Sequence, residues 1–170
     1  DATKDMKLDE KADYIAGMDL STEQKNLLIN SETDRKEPID LAGIEDYSSF
    51  EEFEFAKKYP GKYAMAKAVG GYDSYIVYAD ALGEIESDKD EWGQSINGTK
   101  KPKVYNYIYS LDIPEIEKHI LFKSEYNSFD DYNYEIIEYL NNRDDISYDE
   151  MVSLLLDLGF KVSADGVVRW

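Results

Sequence analysis

The chain has no cysteine and one histidine, His119, in 170 residues. Disulfides, zinc ribbons and thiol nucleophiles are therefore excluded. A single histidine builds neither a histidine-rich metal site nor a catalytic triad by itself, so His119 is expected to be structural. Proline is scarce, at four residues, and no apolar run approaches the length of a membrane span. Positive charge is also short: 19 Lys and Arg stand against 37 Asp and Glu, a formal net charge of −18. Such a surface repels phosphate backbones and anionic membranes, so direct nucleic-acid binding is not expected. The acidity has two readings. It solubilises the chain, or it imitates a phosphate backbone and occupies the basic groove of a nucleic-acid-binding protein.

What the chain does have is a core's worth of apolar residues, 42% hydrophobic with 33% charged, which fits one domain or two small lobes. The opening Asp1-Ala2-Thr3-Lys4-Asp5 has no apolar stretch and is no signal peptide. With no initiator methionine there, the chain reads as a piece of a longer polypeptide.

An internal similarity at a spacing of 93 residues organises the sequence. Tyr14-Ile15 aligns with Tyr107-Ile108, Asp19 with Asp112, Lys25 with Lys118, Leu28 with Leu121 and Ser31-Glu32 with Ser124-Glu125. Tyr14, Ile15 and Met18 share a helical face, as do Tyr107, Ile108 and Leu111. After each aspartate a second helix begins, capped by Ser21 with Gln24 in the first copy and opened by Pro114 in the second. The unit is thus a duplicated helix-turn-helix.

Further helices are expected from Phe50 to Lys58, ended by Pro60-Gly61, from Lys62 to Val69, and along Tyr72 to Ile85. Ser87 to Thr99 is polar and reads as a loop, and Pro102 is expected to close a first lobe. Later helices are expected over Tyr132 to Leu140 and, behind the Ser147/Glu150 capping box, over Met151 to Leu158, with Gly159 as a left-handed stop. Asp165-Gly166 between two alternating segments signals a hairpin, with Trp170 packing back on the last helices. The expected fold class is mainly α, a helical bundle containing the duplicated unit, with a C-terminal β-hairpin. The expected lobes are residues 1–99 and 100–170.

The chemical inventory is thin. Gly70-Gly71 lacks the spacing of a nucleotide-binding loop. Asp88-Lys89-Asp90-Glu91-Trp92-Gly93 starts like a calcium loop, but Trp92 takes a ligand position and Thr99 replaces the closing glutamate. Asn97-Gly98-Thr99 is a glycosylation sequon only in a secreted eukaryotic protein. Acid pairs such as Glu51-Glu52 and Asp144-Asp145 are frequent in so acidic a chain and read as solvated faces. The segment Tyr132 to Trp170 has the outline of a winged DNA-binding module. Its recognition helix would carry Asp149, Glu150 and Asp157 with no Lys or Arg, so base readout fails. Neither cofactor, metal site nor enzymatic activity is expected.

Fifteen tyrosines remain, with Tyr105, Tyr107, Tyr109, Tyr126, Tyr132, Tyr134 and Tyr139 crowded together. Tyrosine offers broad contact area with a polar tip, which suits both interhelical packing and interfaces, so these seven are the candidate partner-binding residues.

Lys103-Val104-Tyr105-Asn106-Tyr107-Ile108 through Glu125-Tyr126, and Tyr134 through Arg143 to Met151, resemble segments near the end of very large late-gene proteins of phages infecting Gram-positive bacteria. The resemblance implies a virion-associated or ejected protein, located in the virion or the host cytoplasm, and carries no catalytic residue. The leading expectation is a non-enzymatic protein–protein interaction or scaffolding module whose partner is a phage structural protein or a host protein. The alternative is an acidic inhibitor of the anti-CRISPR type that mimics nucleic acid.

Overall fold

The computed structural model describes residues 5–87 and 100–170. The calcium-like stretch, the sequon and most of the expected polar loop lie outside these residues, as do residues 1–4. Among the described residues the chain is mainly helical, with one two-stranded antiparallel sheet at its end.

The chain divides into two compact units, residues 1–58 and 59–170. In the first, α1 (Leu8–Ala16), α2 (Thr22–Ser31), a 3-10 turn (Ile44–Asp46) and α3 (Phe50–Lys58) enclose one core. Ala12 and Ile15 of α1, Ile29 of α2, and Phe50 and Phe53 of α3 meet there with Leu41 and Ile44. Each such large side chain contributes about 1.5–3 kcal/mol by leaving water. The long connection from α2 to α3 is tied down by side-chain amides. Asn26 accepts from the Leu41 N–H at 2.8 Å, and Asn30 accepts from the Ile39 N–H at 2.7 Å. Asp13 on α1 accepts the first N–H of α3, that of Phe50, at 2.7 Å. Ser49 accepts from Glu52 N–H at 3.1 Å while the Glu52 carboxylate takes Ser48 N–H at 3.0 Å, so the expected cap operates one residue wider than a capping box.

The second unit holds α4 (Pro60–Ala68), α5 (Tyr72–Glu86), α6 (Lys100–Tyr109), α7 (Glu115–Glu125), α8 (Asn133–Asn142) and α9 (Tyr148–Asp157), then β1 (Lys161–Val162) and β2 (Val168–Arg169). The most extensive pairing is α4 on α9. Two readings of proline need correction. Pro60 opens α4 instead of merely ending α3, and Pro102 sits in the first turn of α6 instead of closing a lobe. Both fit one cause: first-turn N–H groups have no intrahelical acceptor, so proline removes nothing there. Since α5 and α6 pack on each other, the expected boundary between residues 99 and 100 falls within the second unit, and the division between units comes at Lys58 and Tyr59.

The helix pairs α1–α2 and α6–α7 share more than length. Lys25 on α2 donates to the Ala16 carbonyl at 2.8 Å, and Lys118 on α7 donates to that of Tyr109 at 3.2 Å. Ser31 donates to Leu28 and Ser124 to Leu121. In the turns Met18 N–H reaches Ile15 and Leu111 N–H reaches Ile108. Every one of these pairs is related by the 93-residue spacing.

At the C-terminal end Ser147 and Glu150 form the expected capping box, and Gly159 stands at φ +90°, the left-handed region where a side chain is strained. Lys161 pairs with Arg169 and Val162 with Val168, and Gly166 N–H closes the turn on Ser163.

Candidate partner-binding surface

The seven tyrosines do not form one face. Tyr105, Tyr109 and Tyr126 surround the buried Phe122, with ring centroids 5.3, 6.1 and 5.2 Å from it, and Phe129 joins at 4.9 Å. Their placement follows from the sequence: Tyr105 and Tyr109 stand four apart on α6 and stack at 4.2 Å, while Phe122 is on the facing side of α7. Tyr107 points elsewhere and stacks on Tyr78 of α5 at 6.0 Å. Tyr132 stacks on His119 at 3.6 Å with the rings 5° from parallel.

His119 is buried, and the Tyr109 hydroxyl lies 2.6 Å from its Nδ1. Burial holds the imidazole below its ordinary range, Glu115 and Glu135 acting weakly the other way. With the ring neutral and its proton on Nε2, Nδ1 accepts a hydrogen bond from the Tyr109 hydroxyl, which burial pushes up and so keeps protonated. Expected at the surface or half-buried, His119 is instead buried among these contacts.

Tyr139 donates to Glu117, a buried carboxylate on α7. Burial pushes Glu117 up, opposed by the Tyr139 hydrogen bond and by Arg143, and Tyr139 itself is pushed up to about 12. Arg143 grips Asp145 through Nε at 2.8 Å and Nη2 at 2.7 Å, and Nη2 also reaches the Ala64 carbonyl at 3.3 Å. The Arg143 hydrogen bond holds the Asp145 carboxyl below its usual range. Asp145 thus serves as an anchor for Arg143 and Glu52 as a helix cap, where both were expected simply on solvated faces.

Two of the seven tyrosines are exposed. Tyr105 is 44% exposed, although its ring also packs perpendicular to Phe122 and stacks on Tyr109; Tyr134 is 73% exposed. Tyr134 meets Trp170 edge to face at 4.7 Å, and Trp170 is itself 54% exposed. The hairpin brings Trp170 back against α8 as expected, but leaves much of the indole in solvent. Val167 in the hairpin, and Tyr148 and Leu156 on α9, are exposed as well. Isolated exposed apolar groups are ordinary, whereas a contacting Tyr–Trp pair is the composition that interfaces favour. The sequence signalled Tyr134 through its tyrosine density; Trp170 was not among the expected binding residues.

No protein-family model, no curated protein and no solved structure matches this chain. Among the described residues no group of three or more His, Cys, Asp or Glu side chains is placed to hold a metal ion. Among the described residues no helix is long and apolar enough to cross a membrane.

Proposed function

We propose that the chain is a non-enzymatic protein–protein interaction module of a phage protein, and that Tyr134 and Trp170 anchor its partner. The observation that carries this reading is their contact: two large aromatic side chains touch each other at 4.7 Å while both remain largely in solvent. Aromatic anchors of this kind dominate binding energy once desolvated by a partner. The hydrogen bonds that recur between α1–α2 and α6–α7 support reading the two helix pairs as copies of one unit. The likeness to late-gene phage proteins supports a phage structural protein or a host protein as the partner.

Affinity capture from host lysate and from purified virions, with elution by a salt gradient, tests the reading. The wild-type chain is expected to retain a partner against high salt, and the Tyr134→Ala/Trp170→Ala double variant to lose it. Equal retention by the double variant overturns the assignment of the anchors. Elution of basic nucleic-acid-binding proteins at modest salt, with competition by DNA, favours the nucleic-acid mimic that the net charge of −18 suggests.

A further inference from the structure

A second site lies within the larger unit and has no role in the reading above. Helices α4, α5, α7 and α9 border a cleft of about 370 Å³, within the range of small-ligand pockets. Three carboxyl groups line it, Glu86 from α5, Glu125 from α7 and Asp157 from α9, against one ammonium, Lys62. Tyr75 and Tyr78 of α5 supply aromatic walls, their centroids 5.7 Å apart.

An acidic groove in an acidic protein means little alone. Tyr78 adds an independent observation. It is only 4% exposed, it lines the cleft, and its buried hydroxyl has no hydrogen-bond partner. Burial first, and then the charges of Glu125 and Glu86, push that hydroxyl up, and both acids border the same space. An unpaired buried hydroxyl costs free energy comparable to a lost hydrogen bond, and a ligand in the cleft would relieve it. Burial and the neighbouring Glu86 carboxyl push Glu125 up, opposed by Lys62, and all three line the cleft. Two like charges lining one space repel each other, and a cation placed beside them would relieve that repulsion.

The arrangement selects the ligand's class. The acids are not gathered as a chelating group, since no metal-type cluster occurs among the described residues. Carboxylates around aromatic walls suit a nitrogen cation on an aliphatic stem. The stem packs on the tyrosine rings and on Leu82, the charge pairs with the acids, and one N–H donates to the Tyr78 hydroxyl. We infer that this cleft binds an alkylammonium or guanidinium group, presented either by a free aliphatic polyamine or by a Lys or Arg side chain of a peptide. The inference is independent of Tyr134 and Trp170 and holds whether or not they anchor a partner.

Calorimetric titration of the whole chain tests it, with spermidine and with a short lysine- and arginine-containing peptide as probes. One probe is expected to bind saturably at one site per chain, and which one does so identifies the source of the cation. Glu125→Gln should weaken that binding at least about tenfold, the scale of a charge-assisted hydrogen bond, and Tyr78→Phe by a few-fold. Glu138→Gln, an exposed acid on α8, controls for general attraction of cations to the negative surface and should leave affinity unchanged. Thermal melts of each variant verify folding, and the Tyr75 ring resonances in the wild type give a readout that needs no variant. Absence of saturable binding by both probes overturns the inference. So does an equal loss in Glu138→Gln and Glu125→Gln, or binding that leaves the Tyr75 ring unperturbed.

Discussion

The backbone of Gly61 lies so near that of Leu154 that a Cβ built on the glycine would come within 2.9 Å of the Leu154 nitrogen and 3.0 Å of the Ser153 carbonyl carbon. This is where α4 enters its packing on α9, the most extensive helix pairing in the unit. Backbone cannot swing aside as a side-chain tip does. Gly61→Ala, which ordinarily favours a helix, is expected to destabilise here by about 2–3 kcal/mol through overpacking. Urea denaturation measures the difference. Gly83, on α5 with open space around its Cβ position, is the control whose alanine variant should be neutral or stabilising.

His119 should make the second unit sensitive to acid. Its pKa is lowered from the ordinary 6.5 by burial, so the folded state favours the neutral ring. A depressed value contributes stability that is present above the unfolded pKa and lost as pH falls through the folded one. Protonation would also remove the acceptor of the Tyr109 hydroxyl, while Glu115 and Glu135 temper the charge and Tyr132 faces the ring. Wild-type stability is therefore expected to fall as pH drops below about 6.5, beyond the decline seen in His119→Phe. The variant keeps the stack on Tyr132, and at pH 8 it should lose only about 1 kcal/mol for the unpaired hydroxyl. Parallel profiles of the two chains across this window would refute the assignment.

The helical class, the hairpin and the helix-turn-helix pattern are legible in the sequence because local signals carry them. Ser21 with Gln24 and Ser147 with Glu150 act within four residues, and Gly159 meets a requirement of its own backbone. What escapes is set by distance along the chain. Nothing local states whether Pro60 ends one helix or begins the next, because proline is compatible with both places. Tyrosine density pointed to one interface, yet α6 sends Tyr105 and Tyr109 to Phe122 and Tyr107 to Tyr78. The cleft is assembled from Glu86, Glu125 and Asp157 on three separate helices. In a chain with 37 acids, no spacing distinguishes those three from the rest.

Lys123 is 1% exposed, and every proton of its ammonium group is used. It donates to the carbonyls of Asn127 and Phe129 at 2.8 and 2.9 Å and to Asp130 at 3.0 Å. It thereby fastens the turn leaving α7 to the helix end that starts it, with its ammonium 4.9 Å above the Phe160 ring. Lys123→Met preserves the stem and removes the donors, and is expected to cost about 2–3 kcal/mol. Asp130→Asn should cost much less, since Asp130 is exposed and the amide oxygen still accepts. Denaturation of the two variants side by side checks the order.

The equivalent lysines offer the sharpest test of whether the two helix pairs work alike. Lys25 and Lys118 each reach back nine residues to a carbonyl at the end of the preceding helix, where acceptors lack intrahelical donors and the helix dipole favours a cation. Removing either charge with Lys25→Met or Lys118→Met is expected to cost about 0.5–1.5 kcal/mol. The loss should appear locally, as faster amide exchange at Gly17 and Met18 for the first and at Ser110 and Leu111 for the second. The two lysines share no partner, so the double variant should lose the sum of the single effects. If one substitution loosens its turn and the other leaves its turn unchanged, the shared bond is incidental to one copy. Matching losses would mean that the same lysine closes the same turn in both units, as expected of one unit used twice.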